Sequence, residues 1–248
     1  MAPKIILISG AARGLGKGLA ERYLAQPNHI VIAANRDPDS PASQALSRLP
    51  VAEGSSLIVV KLDAAVETDA RDAVKELKEK HGIEHLDVVI ANAGISSTWP
   101  AVKDLRIGDL EMHVRVNVYG VVALYQATRP LLRRAKGEPV FAPMGSSAGF
   151  IVDQPPITNA AYGPSKAALH WFVVRINAED EWLNAFALNP GWVQTELGNV
   201  GARGLGLEKA PVDLVESLDG MMKMLAITSK EKDGGKMVSY DGEVSDLK

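Results

Sequence analysis

The stretch "SGAARGLG", residues 9–16, follows the short apolar run "IILI" without interruption. Glycine permits backbone angles and close approaches that other residues resist, so this turn either binds a phosphate group or only joins a strand to a helix. Its spacing departs from the dinucleotide-binding pattern G-x-G-x-x-G, because Leu19 stands where the last glycine would be. Both interpretations stay open until the residues downstream are considered.

Composition narrows the class of protein. The chain has 248 residues, of which 46% are hydrophobic and 23% charged, with a net charge of -3 and no cysteine. Disulfides, zinc thiolates and a thiol nucleophile are therefore excluded, and the charge gives no support to nucleic-acid binding. The apolar N-terminal run is too short for a signal peptide, and no run approaches the ~18 apolar residues of a membrane span. We expect a cytoplasmic enzyme or binding protein.

Seven short β-rich runs alternate with patterns of helical period. The first four runs are nearly continuous apolar stretches, as in parallel strands that are buried on both faces. Alternation of strand and helix implies right-handed crossovers, and so predicts an α/β fold, a Rossmann-type doubly wound parallel sheet of about seven strands with helices on both faces. The runs are residues 4–9, 29–33, 57–61, 86–91, 139–144, 185–189 and 236–240.

The glycine turn lies at a position where open α/β sheets bind ligands. Such ligands sit beyond the carboxyl ends of the strands, and Gly10, Gly14 and Gly16 follow the first strand directly. A helix is predicted to start near Leu15, and its free N–H groups and positive dipole end favour a diphosphate.

Residues near the end of the second strand bear on the choice of dinucleotide. Sites for NAD often place an acid there, whereas this chain has neutral Asn35 followed by Arg36, and Arg13 lies in the glycine turn. Two guanidinium groups suit a 2′-phosphate through forked, charge-assisted hydrogen bonds. Either arginine could equally be a solvated surface residue, and Asp37 weakens the case. The pattern favours NADP(H) over NAD(H).

The segment "AAYGPSK" contains Tyr162 and Lys166, four residues apart and so on one face of a helix. A free phenol, with a pKa near ~10, exchanges protons poorly at neutral pH. We expect the Lys166 ammonium to lower the pKa of Tyr162 toward a value useful in general acid–base catalysis. Tyr-x-x-x-Lys is a common pattern, however, and a surface pair is the alternative.

Further motifs decide between these alternatives. In chain order they are "SGAARGLG", "KLD" at 61–63, "ANAG" at 91–94, "VNVYG" with Asn117, "GSSAG" with Ser146, and "NPGWVQT" at 189–195. Together with Tyr162 and Lys166, they make the chain resemble the short-chain dehydrogenase/reductase family along almost its full length. The resemblance implies that the glycine turn binds a cofactor.

The resemblance also implies roles for four catalytic residues. Tyr162 would give its proton to the carbonyl oxygen of the substrate as hydride arrives, and Ser146 would hydrogen-bond the same oxygen. Lys166 would hold the ribose hydroxyls of the cofactor and lower the pKa of Tyr162. Asn117 would support a water chain that reaches Lys166, or would only form a structural kink.

Cofactor and substrate residues follow from the same matched positions. Asp63 would accept a hydrogen bond from the adenine amine. The expected cofactor site comprises Gly10, Arg13, Gly14, Leu15, Gly16, Asn35, Arg36, Asp63, Asn92, Ala93, Gly94, Tyr162, Lys166, Pro190, Gly191, Val193 and Thr195. Large apolar residues on the substrate side, each of which could alone be a core residue, together suggest a broad apolar pocket: Ile95, Trp99, Phe150, Val152, Trp192 and Leu197.

No repeat or linker divides the sequence, so we expect a single domain over residues 1–248. Its cofactor half would cover about 1–135 and its catalytic and substrate half about 136–248. Residues 36–43 are predicted to form a surface loop. Residues 196–211 are predicted to form a long glycine-rich loop that acts as a lid.

Several features depart from the family pattern or lie outside it. Pro143 stands inside the fifth strand and predicts a bulge or an early strand end. The C-terminal "SYDGEVSDLK" lacks the Asp-Gly-Gly ending of many tetrameric members, which favours a monomer, or a homodimer through the helices at about 110–134 and 161–180. The histidines show no metal-ligand spacing, so we expect no metal site and interpret them as surface or helix-face residues: His29, His81, His85, His113 and His170.

We expect NADPH-dependent reduction of a ketone or aldehyde, a small-molecule substrate. The stretches "SSLIVVKLD", "HLDVVIANAGI" and "GKMVSYDGE" are most similar to the fungal norsolorinic acid ketoreductase-like branch and its carbonyl reductase relatives. That similarity implies a bulky, aromatic or polyketide-like carbonyl substrate and a place in secondary metabolism. The alternatives are an NAD-dependent secondary-alcohol dehydrogenase, against which Arg13 and Arg36 argue, and a non-catalytic NADPH-binding sensor, which would not need Tyr162.

Overall fold

A computed structural model describes residues 2–247, which contain nine strands in two sheets. The strands are β1 (Lys4–Ser9), β2 (His29–Asn35), β3 (Ser56–Lys61), β4 (Val88–Ala91), β5 (Val140–Pro143), β6 (Asn184–Ala185), β7 (Ala187–Asn189), β8 (Lys236–Ser239) and β9 (Val244–Asp246). The central sheet is parallel, with the order β3-β2-β1-β4-β5-β6. Strand order reverses between β1 and β4, which opens a crevice at their carboxyl ends.

The helices lie on both faces of this sheet. They are α1 (Gly14–Leu24), α2 (Pro41–Gln44), α3 (Asp69–His81), α4 (Ile107–Val114), α5 (Gly120–Leu132), α6 (Tyr162–Glu179), α7 (Glu196–Gly204), α8 (Leu214–Ile227) and α9 (Lys230–Asp233). A π-helical turn, Arg115–Tyr119, joins α4 to α5. The Rossmann-type fold that the sequence predicts is therefore confirmed.

Alternation along the strands divides the core between the two faces. Ile5 and Leu7 of β1 pack with side chains of α3, α5 and α6, whereas Ile6 and Ile8 pack with α1 and α8. Successive side chains of a strand point to opposite faces, and both faces of this sheet are covered. This explains why the strand sequences are continuously apolar.

The sheet differs in one respect from the seven strands expected. The sixth apolar run is split into β6, which extends the central sheet, and β7, which pairs with β8 in a three-stranded sheet completed by β9. Gly145 N–H donates a hydrogen bond to Leu188 O. Alternate residues of a strand bond to the same neighbouring strand, so Pro143, two residues earlier, lies where an N–H would donate to that strand. Proline has no N–H, so this hydrogen bond is missing. The early strand end predicted at Pro143 is confirmed, since β5 ends there.

Two segments expected as loops contain helices. Within 196–211, residues Glu196–Gly204 form α7, because the Thr195 hydroxyl accepts a hydrogen bond from Gly198 N–H and caps the first turn. Within 36–43, helix α2 begins at Pro41, where Ser40 provides the cap. None of the helices within residues 2–247 combines the length and apolar character that crossing a bilayer requires.

Candidate active site

Three predicted catalytic side chains converge at the carboxyl edge of the sheet. Tyr162 begins α6, and Lys166 lies one turn further on. Ser146 follows β5, and it forms a hydrogen bond with Tyr162. The ammonium of Lys166 donates to Met144 O (2.7 Å) and lies 5.6 Å from the centre of the Tyr162 ring. The structure thus brings Ser146, Tyr162 and Lys166 together.

Burial governs the protonation of this group. Burial raises the pKa of Tyr162 to about 12, and the hydrogen bond with Ser146 opposes that rise only in part. Burial also lowers the pKa of Lys166 to about 8. In this structure the Lys166 ammonium is bonded to Met144 O and desolvation of the phenolate dominates the pKa of Tyr162, so the expected lowering of that pKa by Lys166 stays a prediction. Tyr162 is therefore a neutral phenol at pH 7, the state that can donate a proton.

Asn117 connects the segment after β4 to helix α6. It lies in the π-helical turn, its Oδ1 accepts from Ile95 N–H (2.8 Å), and its Nδ2 donates to Ile95 O (2.9 Å) and to Ser165 Oγ (3.0 Å). Asn117 thus lies in the π-helical turn itself. Both roles expected for it, a structural kink and a water chain toward Lys166, stay predictions.

The glycine turn is shaped for close approach of a ligand. Gly10 and Gly14 have φ angles of 67° and 54°, which favour glycine. A Cβ at Gly16 would lie 2.5 Å from Asn92 Nδ2 and closer still to Gly10 O. The amide of Asn92 donates to Ser9 O and Gly10 O and so supports the turn from β4.

Helix α1 presents unsatisfied donors at this turn. Its N-cap, Arg13, provides no side-chain hydrogen bond to the first N–H groups. These groups and the helix dipole suit an anion. The segment Pro190–Thr195 reaches the same place, since Thr195 Cγ2 lies 3.7 Å from the position of a Cβ on Gly14. The predicted residues Ala93 and Gly94 continue from Asn92, and Leu15 lies within the first turn of α1.

Polar groups at the ends of β2 and β3 mark the expected ribose and adenine side. Asn35 is buried, its Nδ2 donates to Ser43 Oγ (3.2 Å), and its Oδ1 is a buried acceptor without a partner among residues 2–247. Arg36 follows it and is exposed. Arg13 forms an exposed ion pair with Glu196 at the start of α7 (2.5 Å). One oxygen of Asp63 accepts from Ala65 N–H (2.9 Å).

Aromatic side chains and α7 meet on the substrate side. A Cβ on Gly201 or Gly204 would lie 3.4–3.5 Å from the Trp99 indole, so this indole packs against the glycine face of α7. Trp192 Nε1 donates to Gly198 O (3.0 Å) of the same helix. These contacts bring two of the predicted substrate residues together beneath α7.

The other predicted substrate residues lie around this group. The Phe150 ring lies 6.2 Å from the ring of His170, and Ile95 is held by Asn117. Val152 and Leu197 are 76% and 46% exposed, so they lie at the rim rather than in a buried wall.

The sequence of the whole region matches one known family. Residues 4–203 match the family described as short chain dehydrogenase. The chain belongs to this family. It is 43% identical over 239 residues to the norsolorinic acid ketoreductase of Dothistroma septosporum, covering 95% of this chain and 89% of that protein. It is 39% identical over 239 residues to the norsolorinic acid ketoreductase of Aspergillus parasiticus, covering 95% of this chain and 88% of that protein.

Solved structures of two carbonyl reductases share the fold. NADPH-bound carbonyl reductase from chicken fatty liver matches with a TM-score of 0.85 at 26% identity, covering 99% of this chain and 100% of that one. The carbonyl reductase Sniffer of D. melanogaster matches with a TM-score of 0.83 at 23% identity, covering 98% of this chain and 99% of that one. The family resemblance that the sequence motifs indicate is confirmed.

Two of the histidines expected on the surface or on a helix face lie on buried helix faces at this site. His113 and His170 are buried, 0% and 3% exposed, and lie beside the catalytic group. His170 Nε2 accepts from Ser146 N–H (3.4 Å), and burial, with repulsion from Lys166, lowers the pKa of His170 to about 4. A usable signal was present: each histidine lies four residues from a candidate catalytic residue on the same helix or its continuation, and so shares its face.

Proposed function

We propose that this protein is an NADPH-dependent ketoreductase that reduces a bulky, aromatic or polyketide-like ketone or aldehyde to the alcohol, with a place in secondary metabolism. The observation that carries the proposal is a half-buried Tyr162 hydrogen-bonded to Ser146, with a glycine turn suited to a dinucleotide at the same carboxyl edge of the sheet. The names of the relatives, norsolorinic acid ketoreductase and NADPH-bound carbonyl reductase, support the same activity.

The residues of the cradle fit NADPH. The N–H groups at the start of α1 would hold the diphosphate. Arg36, and Arg13 once released from Glu196, would bind the 2′-phosphate, and the unpartnered Asn35 Oδ1 would accept from the adjacent ribose. The opposite oxygen of Asp63 would accept from the adenine amine. When bound, NADPH supplies the hydride.

Tyr162 donates the proton that completes the reduction. The neutral phenol gives its O–H proton to the carbonyl oxygen as that oxygen gains negative charge, and the Ser146 hydroxyl hydrogen-bonds the same oxygen. Addition of one hydride to carbon and one proton to oxygen converts C=O into CH–OH. Lys166 would hold the ribose of the cofactor. Its ammonium would also stabilise the phenolate that Tyr162 leaves behind, because a nearby positive charge lowers the free energy of the anion. Asn117 keeps the segment after β4 in register with α6.

The substrate class follows from the walls of the site. Trp99 and Trp192 offer flat apolar surfaces against α7, which is part of the lid that we assign to residues 196–211, and Phe150 offers another beside His170. Aromatic walls favour a flat, apolar ketone through ring stacking and burial of apolar area. A small ketone would leave most of this surface uncovered.

Two alternatives make different predictions. An NAD-dependent secondary-alcohol dehydrogenase would prefer NAD(H), against which Arg13 and Arg36 argue. A non-catalytic NADPH sensor would bind the cofactor without turning it over.

Steady-state oxidation of NADPH and of NADH, followed at 340 nm with small, aryl and fused-ring ketones, separates these functions. We expect activity with NADPH that increases with ring number. A preference for NADH, or tight NADPH binding with no turnover on any ketone or aldehyde, contradicts the proposal.

A further inference from the structure

His113 is a fully buried histidine on α4 whose two ring nitrogens both have defined partners. Nδ1 lies 2.6 Å from Asp109 O, and Nε2 lies 3.1 Å from Ser97 N. A carbonyl oxygen only accepts, so Nδ1 carries the proton and donates it. Nε2 of the neutral ring is then an acceptor, and Ser97 N–H donates to it. The ring is thus a rigid link between α4 and the segment after β4.

The segment Ile95–Pro100 has no regular secondary structure, so hydrogen bonds from other elements fix its path. Asn117 binds the backbone of Ile95 on both sides, and His113, on the same helical face four residues earlier, binds Ser97. Trp99 follows two residues later. The bond from His113 to Ser97 therefore fixes the backbone two residues before the indole that packs against α7.

The same imidazole also contacts the proton donor. The rings of His113 and Tyr162 meet edge to face, with centroids 6.4 Å apart and an interplanar angle of 70°. Such contacts stabilise one relative orientation of two rings. Lys166 lies near the Tyr162 ring as well, so the phenol is held by groups from both α4 and α6.

We propose that His113 is a positioning residue, which sets the distance between the Trp99 wall and the phenol of Tyr162. This inference rests on the proposed function and deepens it, because it names the group that matches the site to large ketones. A large ketone that reaches from the Tyr162 phenol to the Trp99 indole binds well only if the distance between these two side chains is fixed. A small ketone touches only the catalytic end and is insensitive to the position of Trp99.

Three variants test this role. His113→Leu keeps a side chain of similar bulk but removes the acceptor for Ser97 N–H. His113→Gln keeps an acceptor at the same reach, and His81→Leu, at an exposed histidine at the end of α3, is the matched control. For each, the measurements are kcat and KM with an aryl fused-ring ketone and with a small ketone. Hydrogen exchange of the amides in residues 95–101 is measured by mass spectrometry without substrate.

We expect His113→Leu to raise KM for the large ketone about tenfold, the effect of one lost hydrogen bond, with KM for the small ketone within about twofold. Exchange in 95–101 becomes faster in this variant. His113→Gln restores both KM and protection, and His81→Leu changes neither.

Equal losses on both ketones, or no difference between Leu and Gln at position 113, overturn the proposal. Should the parent protein reduce no ketone at all, the proposed function fails by itself. Hydrogen exchange then still decides the structural role: unchanged protection of 95–101 in His113→Leu refutes it, and lost protection that Gln restores upholds it.

Discussion

Replacing His170 with glutamine should make the stability of the protein less sensitive to acid. His170 is 3% exposed, and burial, with repulsion from Lys166, lowers its pKa from 6.5 to about 4. Between these two values the unfolded chain binds a proton at this residue and the folded chain does not. The unfolding free energy contributed here is therefore complete above pH 6.5 and is lost as the pH falls toward 4.

From these two pKa values, lowering the pH from 7.5 to 5 should reduce the unfolding free energy by about 2 kcal/mol through His170 alone. Urea unfolding of the parent and of His170→Gln at both pH values measures it, since titrations elsewhere affect both proteins alike. We expect the parent to lose about 2 kcal/mol more than the variant, and a His81→Gln control to behave as the parent. Parallel losses in parent and variant would refute the reasoning, because His170 would then titrate equally in both states.

Two substitutions test the cofactor cradle. Gly16→Ala places a Cβ against Gly10 O and should weaken NADPH binding, measured by fluorescence titration, by at least about tenfold; Gly108→Ala, in open space on α4, should bind normally, and equal binding by both variants would show that the turn is not a cradle. Glu196→Gln releases Arg13 from an exposed ion pair worth roughly 0.2–1 kcal/mol, so it should tighten NADPH binding up to about fivefold. Affinity for NADH should not change, and an equal gain for both cofactors would exclude a 2′-phosphate contact from Arg13.

Local sequence was enough to predict a structural feature where a single residue type satisfies a strict requirement of the backbone. The apolar runs located the strands of the central sheet, and Pro143 marked where β5 ends. The missing N–H of that proline also splits the next run into β6 and β7, a consequence that appears only once the neighbouring strand is known.

Tertiary contacts decided the features that the sequence did not reveal. Helix α7 forms despite its glycines, because Thr195 caps it and the Trp99 indole packs on its glycine face. The pKa of Tyr162 depends on burial by elements distant in sequence. The burial of His113 and His170 follows from which faces of α4 and α6 meet the site, and composition alone does not indicate those faces.

The most direct test of the central claim compares the parent protein with Tyr162→Phe in NADPH oxidation with a fused-ring aryl ketone, with NADPH binding measured in parallel. General acid catalysis of this kind contributes about 10²–10⁴-fold, so the variant should lose at least a hundredfold in kcat while it still binds NADPH. Turnover that survives removal of the phenol would contradict the assignment of Tyr162 as the proton donor.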